Sequence, residues 1–405
     1  MFSTAARRSG LTGRGRGRSS PGAGMGSAPS VLVIPQIPQD DLDHRGPATG
    51  AAAGAARVPR TAPRGRVVVI TGASGGLGRA IAIEFARQHS SLVLGARRIE
   101  ALEDTARSCR IAGGEAIAVA TDVTREQDVI ELAAAALDRW DRIDVWVNNA
   151  GVTLFALLEQ APFEQHQRVI ETNLLGAMLG ARAVLPVFRR QHRGMLINVG
   201  SVLSEIGQAF EPSYVISKFG VHGLSEALRV ELADEPDIHV CTVFPYAIDT
   251  PHLEAAGNRL GQVPRAMPPV SSPERIARAV ARLPDHPRRR LYLPRLAVLG
   301  IAVHAIVPRT LERLLLDALR AWHISDQSEQ VSTGNLFEPG PETPGTHGHR
   351  PPQVSTARLL AWLARRLVHL EAEAGSRLVR RARAWLRRVR DPVAIPRAGE
   401  LPERV

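Results

Sequence analysis

The sequence predicts a doubly wound parallel α/β sheet with a disordered N-terminal segment and a helical C-terminal extension. Three observations predict it. From residue 65 to about 322, apolar runs alternate with segments of helical period. The runs are nearly continuous in Val, Ile, Leu and Ala, as in strands buried on both faces of a parallel sheet. The first run passes through a glycine-rich turn directly into a helical segment.

The runs are "RVVVIT", "SSLVLGA", "EAIAVAT", "IDVWVNN", "GMLINVG" and "IHVCTVF". Between them lie "GGLGRAIAIEFARQ", "REQDVIELAAAALDRW", "NLLGAMLGARAVLPVFRRQ" and "YVISKFGVHGLSEALRVELAD". Strands separated by helices of this length form right-handed crossovers and place helices on both faces of one sheet. The chain of 405 residues suffices for one such domain plus appendages.

Residues 1–64 read as disordered, since Gly, Ala, Arg, Ser and Pro leave little to bury. Residues 1–38 hold arginines and no acids but lack the amphipathic face of a transit peptide, and no secretory apolar core is present. Residues 323–354, centred on "EPGPETPGTHGHRPPQ", read as a linker. Residues 355–391 read as a basic amphipathic helix, with Leu359, Leu360, Leu363, Leu367 and Leu370 at helical spacing, and 392–405 as a tail.

The formal charge of +11 is concentrated in these appendages. Residues 1–66 contribute a net +7 and 350–405 a net +8, leaving −4 for 67–349. The basicity is therefore no sign of a specific nucleic-acid site in the central domain. Cys109 and Cys241 are the two cysteines and have no metal-ligand spacing around them; no disulfide framework is expected, which fits a reducing cytoplasm.

"VVVITGASGGLGRAIAIEF" sets Gly72, Gly76 and Gly78 between strand and helix. Such glycines let backbone approach a pyrophosphate at a helix N-terminus. The spacing lacks the Gly-Lys-Ser/Thr of a triphosphate loop, so a dinucleotide is expected. The second strand ends "LVLGARR". Ala96 occupies the place where an acid would bond the 2′-hydroxyl of NAD, and Arg97 and Arg98 suit a 2′-phosphate, so NADP(H) is favoured over NAD(H).

Lys218 is the one lysine among 51 basic side chains, four residues after Tyr214. On a helix the two share a face. Together with "NNAG" at 148–151, Asn173, and Ser201 thirteen residues before Tyr214, they give the region 65–285 its resemblance to the single-domain branch of the short-chain dehydrogenase/reductase family.

The resemblance implies a Rossmann-like oxidoreductase moving hydride between nicotinamide and a carbonyl or secondary alcohol. It implies Asn173, Ser201, Tyr214 and Lys218 as the catalytic set. Tyr214 would give its proton to the carbonyl oxygen, Lys218 would lower the phenol pKa and bond the ribose, and Ser201 would hold the substrate oxygen. Asn173 would position a water for proton relay. Asp122 and Val123 would contact adenine, Asn149 would pack near the cofactor, and Thr250 would hold the carboxamide. Ser74, Leu77, Ala150, Gly151, Pro245 and Ile248 complete the implied cofactor contacts. Tyr246 stands where the family often has glycine, and could line the site or turn away from it. A homo-dimer or tetramer is implied as well.

The stretch after Thr250 is rich in Pro, Gly and Ala, as in a mobile lid. "VTLFALL" and "VLSEIGQAF" offer apolar walls, so an apolar carbonyl or alcohol is expected over a phosphorylated sugar. Residues 291–308 contain no run of ~20 apolar residues and read as a final strand plus a core or interfacial helix. With the basic C-terminal helix, this stretch is a candidate for peripheral contact with anionic lipid. The alternative function is a non-catalytic dinucleotide-binding sensor or scaffold whose basic C-terminal helix binds a membrane or partner.

Overall fold

Seven strands run parallel in the order β12-β7-β6-β4-β1-β2-β3, in a computed structural model that describes residues 62–63, 65–340 and 345–366. The strands are β1 Val67–Thr71, β2 Ser91–Ala96, β3 Glu115–Ala120, β4 Val145–Asn148, β6 Gly194–Val199, β7 Ile238–Pro245 and β12 Arg290–Leu293. The six expected runs are the first six of these. β1, β2 and β4 are buried along their whole length, whereas the edge strands β3 and β12 are partly open. That gradient is why the central runs have no polar alternation.

The two-residue period of β1 divides the core. Val68 and Ile70 face the helices α1 Gly76–Arg87, α2 Ile99–Ile111 and α7 Pro273–Ala281. Val67 and Val69 face α3 Glu126–Trp140, α5 Gly176–Gln191 and α6 Pro212–Glu231. Both cysteines are buried in strand-facing positions or in the strand itself, and burial pushes each thiol up to about 12.

A buried polar chain ties the second layer to the sheet. Trp146 Nε1 donates to Asn148 Oδ1 at 2.7 Å, and Asn148 Nδ2 donates to Ala177 O and Asn198 Oδ1, both at 2.9 Å. Asn198 Nδ2 then reaches Ser225 Oγ on α6 at 2.9 Å. This chain fixes α6 against the ends of β4 and β6. α5 continues a shorter helix, α4 Phe163–Ile170, through one π-helical turn at Glu171–Leu175.

Short strand pairs hold the stretch after Thr250, which is therefore tied down rather than a free lid. β8 Ala247–Ile248 pairs with β11 Val270–Ser271, β5 Leu154–Phe155 with β9 Gly257–Asn258, and β10 Gln262–Pro264 with β13 Ile324–Ser328.

The expected linker at 323–354 is corrected by its packing. It begins with His323 and β13, Leu336 is fully buried, and Val354 is 4% exposed. Proline and glycine mark loops, and here the loop is laid over the sheet's C-terminal edge, where its carbonyls find donors. The C-terminal helix begins at residue 356 and its described part ends at 366. Trp362 packs edge-on to Trp322 at 5.0 Å. The rest of that helix, the tail, and residues 1–61 lie outside the described residues. After β12, residues 297–306 form α8 Ala297–Ile306, which buries no residue and is not a core helix. α9 Pro308–Ala318 and a π-helical turn, Leu319–His323, return the chain to the body.

Asn148→Ala would leave the Trp146 indole N–H, the Ala177 carbonyl and the Asn198 side chain short of partners. It is expected to cost about 2–3 kcal/mol in denaturant unfolding. An unchanged midpoint would show the chain of bonds to be incidental.

Candidate active site

The C-terminal ends of β1 and β4 diverge in topology, since β1 leads outward to β2 and β4 leads to β6. A crevice opens at such a switch point. Here it is a cleft of about 350 Å³. Gly72 and Gly76 adopt positive φ of 67° and 51°. A side chain at Gly72 would come within 2.7 Å of Ala150 Cα, and one at Gly78 would collide with the Gly72 carbonyl. Asn149 Nδ2 donates to Thr71 O and Gly72 O at 3.0 and 3.1 Å, and Thr71 Oγ1 accepts from the backbone of Asn149 and Ala150. The turn after β1 is thus a bare backbone cradle locked to the turn after β4. α1 starts there with no side-chain cap, an arrangement that fits an anionic diphosphate. Gly76 N donates to Gly345 O at 2.8 Å, so the C-terminal extension reaches this cradle.

Arg97 and Arg98 line the cleft beside Ala96. Arg97 donates to Asn335 O at 2.6 Å and Phe337 O at 2.8 Å, and Arg98 donates to Gly340 O at 3.0 Å. The extension therefore forms part of this wall. Asp122 and Val123 line it too. Burial works to raise the Asp122 carboxyl, but hydrogen bonds from Thr124 and the Arg168 guanidinium at 3.0 Å outweigh it and hold it below the ordinary value.

The catalytic candidates come from β6 and α6. Ser201 follows β6 and caps a short 3₁₀ turn, its Oγ accepting from Leu203 N at 3.1 Å. Ser201 also hydrogen bonds Tyr214. Lys218 is one turn beyond Tyr214, with Nζ 5.4 Å from the Tyr214 ring centre and donating to Val199 O at 2.9 Å. Burial lowers the Lys218 ammonium to about 8.

The expected lowering of the Tyr214 phenol is not found. Burial raises it well above its ordinary value, Glu211 adds to the rise, and the Ser201 hydrogen bond opposes both. A phenol so held keeps its proton at neutral pH.

Every sequence-predicted site residue lines the cleft except Asn173. Asn173 Oδ1 accepts from Val152 N at 2.8 Å, and Nδ2 donates to Val152 O and Ser217 Oγ. Its side chain joins the β4 turn to α6 and leaves no N–H to hold a water. Its place in the π-helical turn is what brings it against Val152.

Four residues at the far end were not anticipated: Gln208, Glu211, His252 and His323. Glu211 is 6% exposed and accepts from Gln208 Nε2 at 2.6 Å and Thr153 Oγ1 at 3.1 Å. His323 Nδ1 lies 2.6 Å from Arg265 O and so carries hydrogen, while Nε2 sits 3.4 Å from Glu211 Oε1. His252 stacks obliquely 5.9 Å from Tyr214, and burial, aided by Lys218 and opposed by Glu211, lowers it to about 4. Glu211 carried a legible signal, an acid three residues before Tyr214. His323 carried none, since the extension delivers it from more than 100 residues away.

Tyr246 lines the cleft and also packs against the apolar cluster that contains Met267 and Leu319. Leu203, Leu253 and Met267 are its apolar neighbours in the lining. From "VTLFALL" only Val152 of the apolar wall faces the cleft, because Leu154 and Phe155 are buried in β5.

A family model described as short chain dehydrogenase matches residues 66–260. The chain is 35% identical over 284 residues to an uncharacterized oxidoreductase, YxnA, of Bacillus subtilis (strain 168), covering 68% of this chain and 78% of that one. It is 36% identical over 229 residues to 3beta-hydroxysteroid dehydrogenase 1 of Eggerthella lenta, covering 54% and 86%. An alcohol dehydrogenase from the archaeon Thermococcus sibiricus, complexed with 5-hydroxy-NADP, superposes with a TM-score of 0.50 at 31% identity, over 56% of this chain and 94% of that one. A short chain dehydrogenase/reductase from Burkholderia phymatum, in complex with NAD, shares the fold with a TM-score of 0.55 at 24% identity, over 60% and 94%.

Since Lys218 is the sole lysine, biosynthetic ε-¹³C-lysine labelling gives one side-chain NMR signal. Its titration midpoint is expected at about 8 rather than the ordinary 10.5. A midpoint at the ordinary value would show the ammonium to be solvated.

Proposed function

Because the chain belongs to the short-chain dehydrogenase/reductase family and acts as an oxidoreductase on CH–OH groups, we propose that it is an NADP(H)-preferring reductase of apolar ketones or dehydrogenase of the matching secondary alcohols. The observation that carries this is the convergence of Ser201, Tyr214 and Lys218 at the end of a cleft that begins at the glycine cradle. A bound nicotinamide dinucleotide supplies the hydride. Gly72, Ser74, Gly76, Leu77 and Gly78 would hold its diphosphate; Asp122 and Val123 its adenine side; Asn149, Ala150 and Gly151 would lie beside it; and Pro245, Ile248 and Thr250 would face its nicotinamide side.

Tyr214 gives its proton to the substrate oxygen while Ser201 orients that oxygen by a hydrogen bond. Burial keeps the phenol in its protonated form, the form that reduction consumes. Lys218 stands one turn below, placed to bond the ribose and to restore charge balance as Tyr214 loses its proton. Asn173 acts by holding Val152 and Ser217, and so positions α6.

NADP preference is supported by Ala96 in the place of an acid and by two arginines on the adjoining wall. An apolar substrate body is supported by Leu203, Tyr246, Leu253 and Met267, and by the 3beta-hydroxysteroid dehydrogenase relative. Subunit pairing is part of the same reading, through the family resemblance.

Tyr214→Phe is expected to lower turnover by about 10²–10⁴-fold with unchanged NADPH affinity by fluorescence titration. Full activity in that variant would refute the mechanism. Ala96→Asp is expected to raise the KM for NADPH at least about tenfold while leaving that for NADH level or lower. Equal KM values for both cofactors in the parent would overturn the preference. A panel of ketones and sugar phosphates tests the substrate, with turnover of sugar phosphates alone being the adverse result.

A further inference from the structure

The surface carries an apolar feature that the catalytic reading does not use. Leu296, Val298, Leu299, Val303, Ile306 and Val307, on α8 and at its ends, are 38–79% exposed. α8 buries nothing, whereas its neighbour α9 is an ordinary surface helix that buries Leu314 and Ala318. At about 100° per residue, the exposed positions 296–307 sweep roughly 220° of the helix circumference. Ala297, Ile301 and His304 occupy the remaining side and are less exposed. A side chain added at Gly300 would meet nothing within 4 Å.

That width decides between occupants. A helix docking on a protein surface needs an apolar stripe about 100° wide. A helix apolar over twice that arc suits a medium that surrounds it. α8 has ten residues, about 15 Å, half the hydrocarbon thickness of about 30 Å. Among the described residues no helix is long and apolar enough to cross a membrane. A short helix of this kind can lie within one leaflet. The charges flanking it are of the matching sign. Arg288, Arg289 and Arg295 precede it and Arg309 and Arg313 follow it, all exposed, with Glu312 the one acid between 295 and 315.

We propose that α8 and the turn at Val307 seat the protein on an anionic lipid bilayer, with the apolar side chains in the acyl boundary and the flanking arginines at the headgroup phosphates. The surface is independent of the catalytic reading. It lies one helix away, the length of α9 or about 16 Å, from the turn that delivers His323 to the cleft.

Flotation of the full chain with vesicles tests it. The parent is expected to float with phosphatidylcholine–phosphatidylglycerol vesicles and less with phosphatidylcholine alone. Leu299→Asp with Ile306→Asp is expected to lower the bound fraction at least about tenfold with ketone turnover in solution unchanged. Gly300→Asp, placed in open space, gives the same loss if the double variant folds poorly. Three results would overturn the proposal. The parent remains unbound with both vesicle types. The variants float as well as the parent, which would assign attachment to the basic C-terminal segment alone. Or light scattering shows a parent oligomer that the variants split while none of the proteins binds vesicles, which would assign the face to a second copy.

Discussion

How closely the turns after β1 and β4 approach one another governs the rest of the cleft. Gly72 sits against Ala150 with no room for a side chain, and Gly78 passes under the Gly72 carbonyl. Asn149 then closes the gap with two hydrogen bonds. The contact brings the start of α1 within reach of the β4 turn, and Asn173 pins that turn to α6 through Val152 and Ser217. Tyr214 and Lys218 inherit their positions from this chain of contacts. Two bare glycines permit the approach, and the hydrogen bonds of Asn149 and Thr71 fix it.

The electrostatics follow from burial. Lys218 is 5% exposed and its described hydrogen bond is to a neutral carbonyl, so desolvation dominates its titration. Glu211, also buried, raises the phenol beside it. Placing a carboxylate so near Tyr214 favours the protonated phenol, and the contact between Glu211 and His323 sets that carboxylate within reach of the extension. The chemistry of the core domain is therefore coupled to residues well beyond it.

Much of this was legible in the sequence because it is local. Continuous apolar runs named six of the seven strands, and the order of the glycine turn, Asn149, Ser201, Tyr214 and Lys218 named the cleft. What escaped was non-local. The Pro- and Gly-rich stretch after His323 has the composition of a linker, and composition is blind to carbonyls that find Arg97, Arg98 and Gly76 more than 200 residues away. Asn173 was recognised by type, but only its partners reveal that its side chain is a brace. The depression expected for Tyr214 is not found because spacing gives the lysine's position and says nothing of the tyrosine's own burial or of Glu211 near it. For residues 291–308, period and length allowed a core helix or an interfacial one; α8 turned out to bury none of its residues.

A single buried lysine has a consequence outside catalysis. Amine-directed reagents and lysine-specific proteases find one side-chain target in this chain, in the interior of α6 and sealed beneath Val199. Cleavage after Lys218 requires that helix to leave the sheet, which breaks the bonds through Asn198 and Ser225 as well. A lysine-specific protease thus reads opening of α6 as a single cut in an otherwise silent background. The residue that the proposed reaction depends on is also a built-in reporter of whether the fold around it is closed.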